Sequence, residues 1–265
     1  MLTKRVVRLC GAIGVCVCAL TLGAPVANAD FDTAIQITAD NGEYSATANI
    51  GFKQGMWHID PGAPGEHRAM AWSYTLRGNG ITLQTPSGDD LAYITGLHAD
   101  FGGDPEVNLN FSVQAGSSAT TFHIASSLLS FPTISSPTGL ANASYTLTDF
   151  NFDGASLTGV GETGGGYLAQ YNGWAGHPAG PMGTTFAEGI FTMSTFGGVV
   201  TQNYEYPAGG GQTAIGVPVS NMSSLISFQL SSNDLASGTS HFEIVPEPAA
   251  VALLVLGGVV FGRRR

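Results

Sequence analysis

Between Asp30 and Val245 the chain shows no sustained apolar period of 3.6 residues, whereas alternation with a period of two recurs along its length. The clearest case is Glu106-Val107-Asn108-Leu109-Asn110-Phe111-Ser112-Val113-Gln114, in which Val107, Leu109, Phe111 and Val113 fall on one face and polar residues on the other. Such a pattern predicts a half-buried strand, because successive side chains of a strand point to opposite faces. Further strands are expected at Ala34–Thr38, Tyr44–Phe52, Ala69–Leu76, Ile81–Thr85, Leu91–Leu97, Thr120–Ile124 and Ser144–Thr148, then at Ala155–Val160, Tyr167–Tyr171, Thr185–Phe191, Leu225–Leu230 and Ser240–Val245. Asn41-Gly42, Gly78-Asn79-Gly80 and Asp153-Gly154 punctuate them, residues that tolerate the positive φ of tight hairpins. Short strands so spaced, with 37 glycines in the chain, predict an all-β fold: a single β-sandwich of jelly-roll type over residues 30–243. Two stretches within it look alike, Phe111–Ile124 and Phe228–Ile244, each a strand, a small-residue turn and a second strand; chance likeness of Ser-rich hairpins is the simpler account.

Both ends depart from this pattern. Residues 1–29 read as a secretory signal peptide: Lys4, Arg5 and Arg8, an apolar stretch from Leu9 to Leu22, Pro25 as a helix stop, and small residues at Ala27 and Ala29 that place cleavage after Ala29 by a signal peptidase. At the other end Pro246-Glu247-Pro248 precedes an uncharged run, Ala249 to Gly262, and then Arg263-Arg264-Arg265. A helix over that run would be about 21 Å long, short of the roughly 30 Å hydrocarbon core of a bilayer. Three terminal arginines suit a membrane stop with its positive charge left in the cytoplasm, which turns the body outward. Residues 244–265 are thus expected to hold a short C-terminal membrane helix.

Pro246-Glu247-Pro248, a brief apolar helix and an arginine cluster together resemble the PEP-CTERM sorting signal, a tail also labelled "ice-binding protein C-terminal". The resemblance covers about the last twenty residues. It implies recognition and cleavage by an exosortase at the inner membrane, a transient membrane hold, and release to the cell surface or an exopolysaccharide matrix. It implies no activity for the cargo domain. The phrases Leu129-Ser130-Phe131-Pro132 and Tyr145-Thr146-Leu147-Thr148-Asp149 are similar to those of uncharacterised cargo proteins with the same tail.

Cys10, Cys16 and Cys18 all lie in the signal segment, so the exported body has no disulfide and no thiolate chemistry. Only Lys53, Arg68 and Arg77 remain against 18 acidic residues, a formal charge near −15. Such a surface repels nucleic acid and anionic headgroups, so those partners are set aside.

Candidate chemistry is sparse. Asp149-Phe150-Asn151-Phe152-Asp153-Gly154 matches the first half of a calcium loop, with oxygen-bearing Asp149, Asn151 and Asp153 at positions 1, 3 and 5 and Gly at 6. The closing acid is missing, since position 12 is Val160. A calcium site and a hairpin turn whose Asp and Asn cap local backbone groups both fit these residues. Tyr167, Tyr171 and Trp174, in a stretch expected to be exposed, together with Met56-Trp57-His58-Ile59-Asp60, offer aromatic faces of the kind on which sugars stack, although core packing is the simpler account of each residue taken alone. Acidic groups at Asp89-Asp90 and Asp100–Glu106 invite a reading as glycosidase carboxylates, although sequence spacing sets no cleft geometry. His58, His67, His98, His123, His177 and His241 are scattered without ligand spacing for zinc, and no nucleophile elbow is present. The expectation is an exported, exosortase-sorted surface or matrix protein without catalytic residues. A glycan-binding module, calcium-assisted, is the alternative, and a secreted hydrolase the third.

Overall fold

The computed structural model describes residues 33–60, 69–103, 105–174 and 182–247. Ala27, Ala29, Pro248, Arg263, Arg264 and Arg265, and with them the cleavage and tail assignments, lie outside the described residues. The described chain is a β-sandwich. It opens with β1 (Thr33–Asp40) and β2 (Ser45–Gly51), makes a 3-10 turn at Phe52–Gln54, and continues through β3 (Met56–Asp60), β4 (Ala69–Thr75), β5 (Ile81–Gln84), β6 (Asp90–Gly102) and β7 (Glu106–Ala115). Then come β8 (Thr120–Ser126), β9 (Leu129–Ile134), β10 (Pro137–Thr148), β11 (Ala155–Gly159), β12 (Tyr167–Tyr171), β13 (Thr184–Gly189) and β14 (Thr192–Thr195). The last are β15 (Val199–Tyr206), β16 (Thr213–Ala214), β17 (Val219–Leu230) and β18 (Leu235–Pro246).

These strands form two sheets of nine. The first runs β13-β12-β17-β8-β1-β2, with β9 and β11 also on β17 and β14 on β11; the second runs β15-β10-β18-β7-β6-β4-β3, with β16 on β10 and β5 on β6. The chain crosses between the sheets repeatedly, as in a jelly roll, but each sheet is wider than the four strands of that type. The alternation read from sequence is the burial pattern observed: along β7 every second residue is buried, from Val107 to Ala115. Its apolar set faces the other sheet because only that face escapes water.

Most expected strands are present, several longer than expected: β6 and β10 extend to Asp90–Gly102 and Pro137–Thr148. Five were not expected, namely β3, β9, β14, β15 and β16. β15 reads Val-Val-Thr-Gln-Asn-Tyr-Glu-Tyr and lies at a sheet edge, where exposure on both faces blurs the alternation.

The two look-alike stretches occupy the centre. Each is a pair of strands that steps from one sheet to the other, and they are cross-coupled: β7 pairs β18 in one sheet while β17 pairs β8 in the opposite sheet. The four strands bring Phe111, Phe122 and Phe228 together with Tyr145 of β10. Phe228 is fully buried, with ring centroids 5.6 Å from Phe111, 5.7 Å from Phe122 and 5.9 Å from Tyr145. Such tilted and edge-to-face contacts contribute beyond the burial of area alone. Buried tyrosine hydroxyls find carbonyl partners: Tyr145 donates to Gly166 O at 2.8 Å and Tyr167 to His241 O at 3.1 Å.

Gly238 explains how the rings close. It sits within β18 opposite Tyr145 on one side and Phe111 on the other, and the two rings meet edge to face over it at 5.1 Å. A Cβ there would lie 2.7 Å from Ser144 O and from Tyr145 Cδ1, and 2.8 Å from Phe111 Cε1. Gly238→Ala should therefore cost about 2 kcal/mol, the scale of an overpacked core. A urea melt checks it; an unchanged midpoint would show that the rings have slack.

Candidate functional site

Three corners where the chain crosses between sheets meet at one end of the sandwich. The turn after β10 carries Asp149 to Gly154, the turn between β14 and β15 carries Gly197, and the turn between β17 and β18 carries Asp234. Asp149 is buried and accepts from backbone N–H groups of two corners: its Oδ1 from Phe152 N at 2.8 Å, and its Oδ2 from Gly154 N at 3.0 Å and Gly197 N at 2.6 Å. Its own N–H donates to Gly198 O at 3.0 Å. Asp234, fully buried, accepts from Phe150 N at 3.2 Å and from the Ser231 hydroxyl. One carboxylate thus fastens its own turn to the neighbouring corner, and the second fastens that turn to the third corner. Phe152 is held at φ 64, an uncommon conformation for a bulky residue, with its N–H on Asp149.

The calcium-loop residues are placed unequally. Asp149, Asp153 and Asp234 have carboxylate oxygens within 4.8 Å of one another. Asn151 instead turns onto Asp153, its Nδ2 donating to Asp153 Oδ2 at 2.8 Å. Gly154 has φ 107, the conformation the motif needs at that position. An oxygen-only set of this kind accepts a hard cation such as calcium and is unsuited to zinc. Both Asp149 oxygens already carry backbone donors, so the cluster functions first as a lock on the three corners. Sequence reading missed Asp234 and Gly197. The only local signal was a Ser-Ser-Asn-Asp turn and a Gly-Gly pair, and neither says which distant corner it meets.

The two buried carboxylates titrate in opposite senses. The N–H of Gly197, then those of Gly154 and Phe152, hold Asp149 below the usual carboxylate range against the effect of burial. Burial raises Asp234, and the charges of Asp149 and Asp153 add to it.

The aromatic set expected to hold sugars is not a loop. Tyr167 and Tyr171 belong to β12, which is paired on both sides, by β13 and β17. Tyr167 is fully buried in the core and has no face to offer a ligand, a correction that follows from its place opposite Ile226. Tyr171 packs against the core and Trp174 is half-buried, bridging to Met182. The acidic groups do not converge on one cleft either. Asp100 pairs with His98 at 2.6 Å, Glu106 lies 3.3 Å from His241, and Asp89 accepts from Ser87 at 2.7 Å. Glu106, then Glu243, raises His241 to about 9. His241 lies in a polar row across the outer face of the second sheet: Ser73, Asp100, Asn108, His241, Asn142 and Glu205.

One concavity has the chemistry of a polar binding groove. A space of about 580 Å³ is lined in part by Asn41, Tyr44, Asp89, Asp90, Tyr93 and Asn233. Asp90 is fixed there by Gln84 at 2.9 Å and by the Tyr93 hydroxyl.

No family model matches the chain, and no curated protein matches it. Among solved structures, that of the infectious bursal disease virus Gt strain is similar at 11% identity, over 87% of this chain and 62% of that one, with a TM-score of 0.17. The Gx strain of the same virus gives 11% identity, 88% and 69% coverage, and a TM-score of 0.12. Superposition this loose leaves the site to be read from its own geometry.

Asparagine at the two buried positions should act oppositely. In Asp149→Asn the amide NH₂ would face the N–H groups it replaces an acceptor for, so the melting temperature at pH 7 should fall. Asp234→Asn keeps an oxygen for Phe150 N, can donate to Ser231 and removes a like charge, so stability at pH 7 should hold or rise. The pH dependence has matching signs. Asp149 contributes stability above the ordinary carboxylate pKa that is lost as pH falls through its lowered value, whereas ionising Asp234 removes stability as pH rises through its raised one. Thermal melts of both variants from acid to neutral pH check this, and equal losses at pH 7 would refute the corner lock.

Proposed function

We propose that this chain is the non-catalytic cargo of an exported, exosortase-sorted surface or matrix protein. The observation that supports the reading is where the sandwich stops. β18, flanked by β7 and β10 inside its sheet, continues to Pro246 opposite Pro137, and Glu247 N donates to Ser136 O at 2.9 Å. The folded body therefore runs into the sorting motif with no linker, so a cut beyond Glu247 would release a complete sandwich. Residues 1–29 supply export, and the apolar run 249–262 with Arg263–Arg265 supplies the temporary hold. Among the described residues no helix is long and apolar enough to cross a membrane.

A second reading, glycan binding, draws on the groove of Tyr44, Tyr93, Asp89 and Asp90. Carboxylates and amides beside phenol rings recognise hydroxyl-rich polymers, and a body of net negative charge would take neutral or basic ones. On a glycan array, Tyr93→Ala combined with Asp90→Ala should abolish any binding seen for the parent; retained signal removes the groove from consideration.

Sorting is tested by deleting residues 248–265, which spares Pro246 and Glu247 and hence the end of β18. Intact-mass analysis of the parent should report loss of residues 1–29 and of the tail, and the shortened chain should leave the membrane fraction. Unchanged location and mass would sink the reading.

A further inference from the structure

Asn-Gly occurs three times in the chain, at Asn41-Gly42, Asn79-Gly80 and Asn172-Gly173. The dipeptide is reactive in itself. Glycine has no side chain to shield its backbone nitrogen, so that nitrogen can reach the amide carbon of the preceding asparagine and close a five-membered imide. Hydrogen bonds already made by the two groups oppose the closure, and the fold distributes such bonds unequally among the three pairs.

Two pairs are engaged. In the turn between β1 and β2, Asn41 Oδ1 accepts from Glu43 N at 3.1 Å and Tyr44 N at 2.8 Å, while Gly42 N donates to Asp40 Oδ1 at 2.6 Å. The amide and its attacking nitrogen are each held by another partner. Just after β12, Asn172 Nδ2 donates to Pro218 O at 2.9 Å and Asn172 Oδ1 accepts from Ser220 N at 3.2 Å, so this amide is clamped at both atoms to the segment entering β17. Asn172 N donates to Asn221 O at 3.0 Å, which fixes the backbone as well. At both pairs hydrogen bonds must break before the amide carbon can swing onto the glycine nitrogen.

The third pair is free. Asn79 lies exposed in the turn between β4 and β5, with Gly78 at φ 87 on one side and Gly80 at φ 85 on the other. Among the described residues neither its side-chain amide nor the Gly80 N–H has a hydrogen-bond partner. A glycine on each side also gives this stretch of backbone a wide choice of φ and ψ. The reactive glycine is required by the fold: a Cβ at Gly80 would lie 2.5 Å from Ile94 O, so the close approach of the turn to β6 excludes any larger residue.

We propose that Asn79-Gly80 is the site at which the folded protein deamidates, and that the fold keeps Asn41 and Asn172 intact. The Gly80 nitrogen gives up its proton and bonds to Asn79 Cγ, the Cγ–Nδ2 bond breaks, and Nδ2 leaves as ammonia with that proton. Water then adds across one of the two imide C–N bonds. The product is an aspartate at position 79, or an isoaspartate whose main chain runs through Cγ. In sum an amide and water become an acid and ammonia, with no oxidant, reductant or enzyme. Either product sets a carboxylate two residues from Arg77, one of the three basic residues of the exported body, and the isoaspartate lengthens the turn by one methylene. β5 pairs β6 alone, so the longer turn is taken up at a short outlying strand and the core keeps its ladders. The inference needs only the folded body and is independent of how the chain is sorted.

The test is peptide mapping by mass spectrometry of the full chain held at mildly alkaline pH, where the glycine nitrogen loses its proton more readily, with samples taken over time. In the folded protein Asn79 should convert at least about tenfold faster than Asn41 or Asn172, the ratio that one or two hydrogen bonds impose on a barrier. In urea the three should convert at comparable rates. Asn79→Ala should abolish the early mass gain and leave the melting temperature unchanged. Asp40→Ala, which frees the Gly42 N–H, should speed conversion of Asn41 in the folded chain; slower conversion would make that carboxylate a base and overturn the account of protection. An Asn79 that converts no faster than the other two in the folded protein overturns the proposal, and so does one that stays intact when folded yet converts in urea.

Discussion

Everything in the sandwich depends on Phe228 touching three other rings. Phe111 and Tyr145 come from the second sheet and Phe122 from the first, so this contact joins the sheets and sets their separation at the centre. Gly238 makes the contact feasible by leaving its place on β18 empty beneath two rings. A larger residue would force the rings apart, and the closely packed interior has no spare volume into which they could move. The likeness of Phe111–Ile124 and Phe228–Ile244 acquires a physical meaning here. Each steps between sheets, and each strand of one pairs with a strand of the other, so the same turn chemistry is used twice around one core.

Crossing so often between sheets creates corners, and corners leave backbone groups without ladder partners. Buried backbone donors must be bonded. Asp149 answers that need for Phe152, Gly154 and Gly197, and Asp234 for Phe150. The other side of the same end is tied by backbone alone, with Asn233 N on Gly116 O at 2.8 Å and Ala115 N on Asp234 O at 3.0 Å. Asp234 thus holds neighbours through both its side chain and its carbonyl. Its burial so close to two other carboxylates is costly in charge, and the gain is one fixed arrangement of crossings.

The strands were legible in the sequence wherever one face is wet and the other dry. Period-two patterning in β7, β10 and β18 is a direct imprint of that difference. It fails at edges, as in β15, and on β3, where Met56 adds an apolar residue to the face opposite Trp57 and Ile59 and both faces are exposed. Two of the three carboxylates of the cluster were legible, since Asp149 and Asp153 share a short motif. Asp234 was not, because the meeting of two corners is set by sheet topology and leaves no periodic trace. Tyr167 shows the reverse error: an aromatic in a Gly- and Asn-flanked stretch resembles a ligand platform in sequence, yet pairing of β12 on both sides turns it into the core.

The sandwich is polar along its strand axis. At one end two carboxylates, Asp149 and Asp234, secure the crossings, with Phe150, Phe152 and Phe196 exposed around them. At the other end β18 leaves the sheet at Pro246, on the same side as the exposed Ile59 and Met70 at the sheet edge. An antiparallel sheet permits this division, because a central strand can begin in one chemical environment and end in another while its middle stays buried. The order of the chain then does the rest: whatever follows Glu247 emerges at the end where Ile59 and Met70 are exposed, and the acidic corners are carried to the far side.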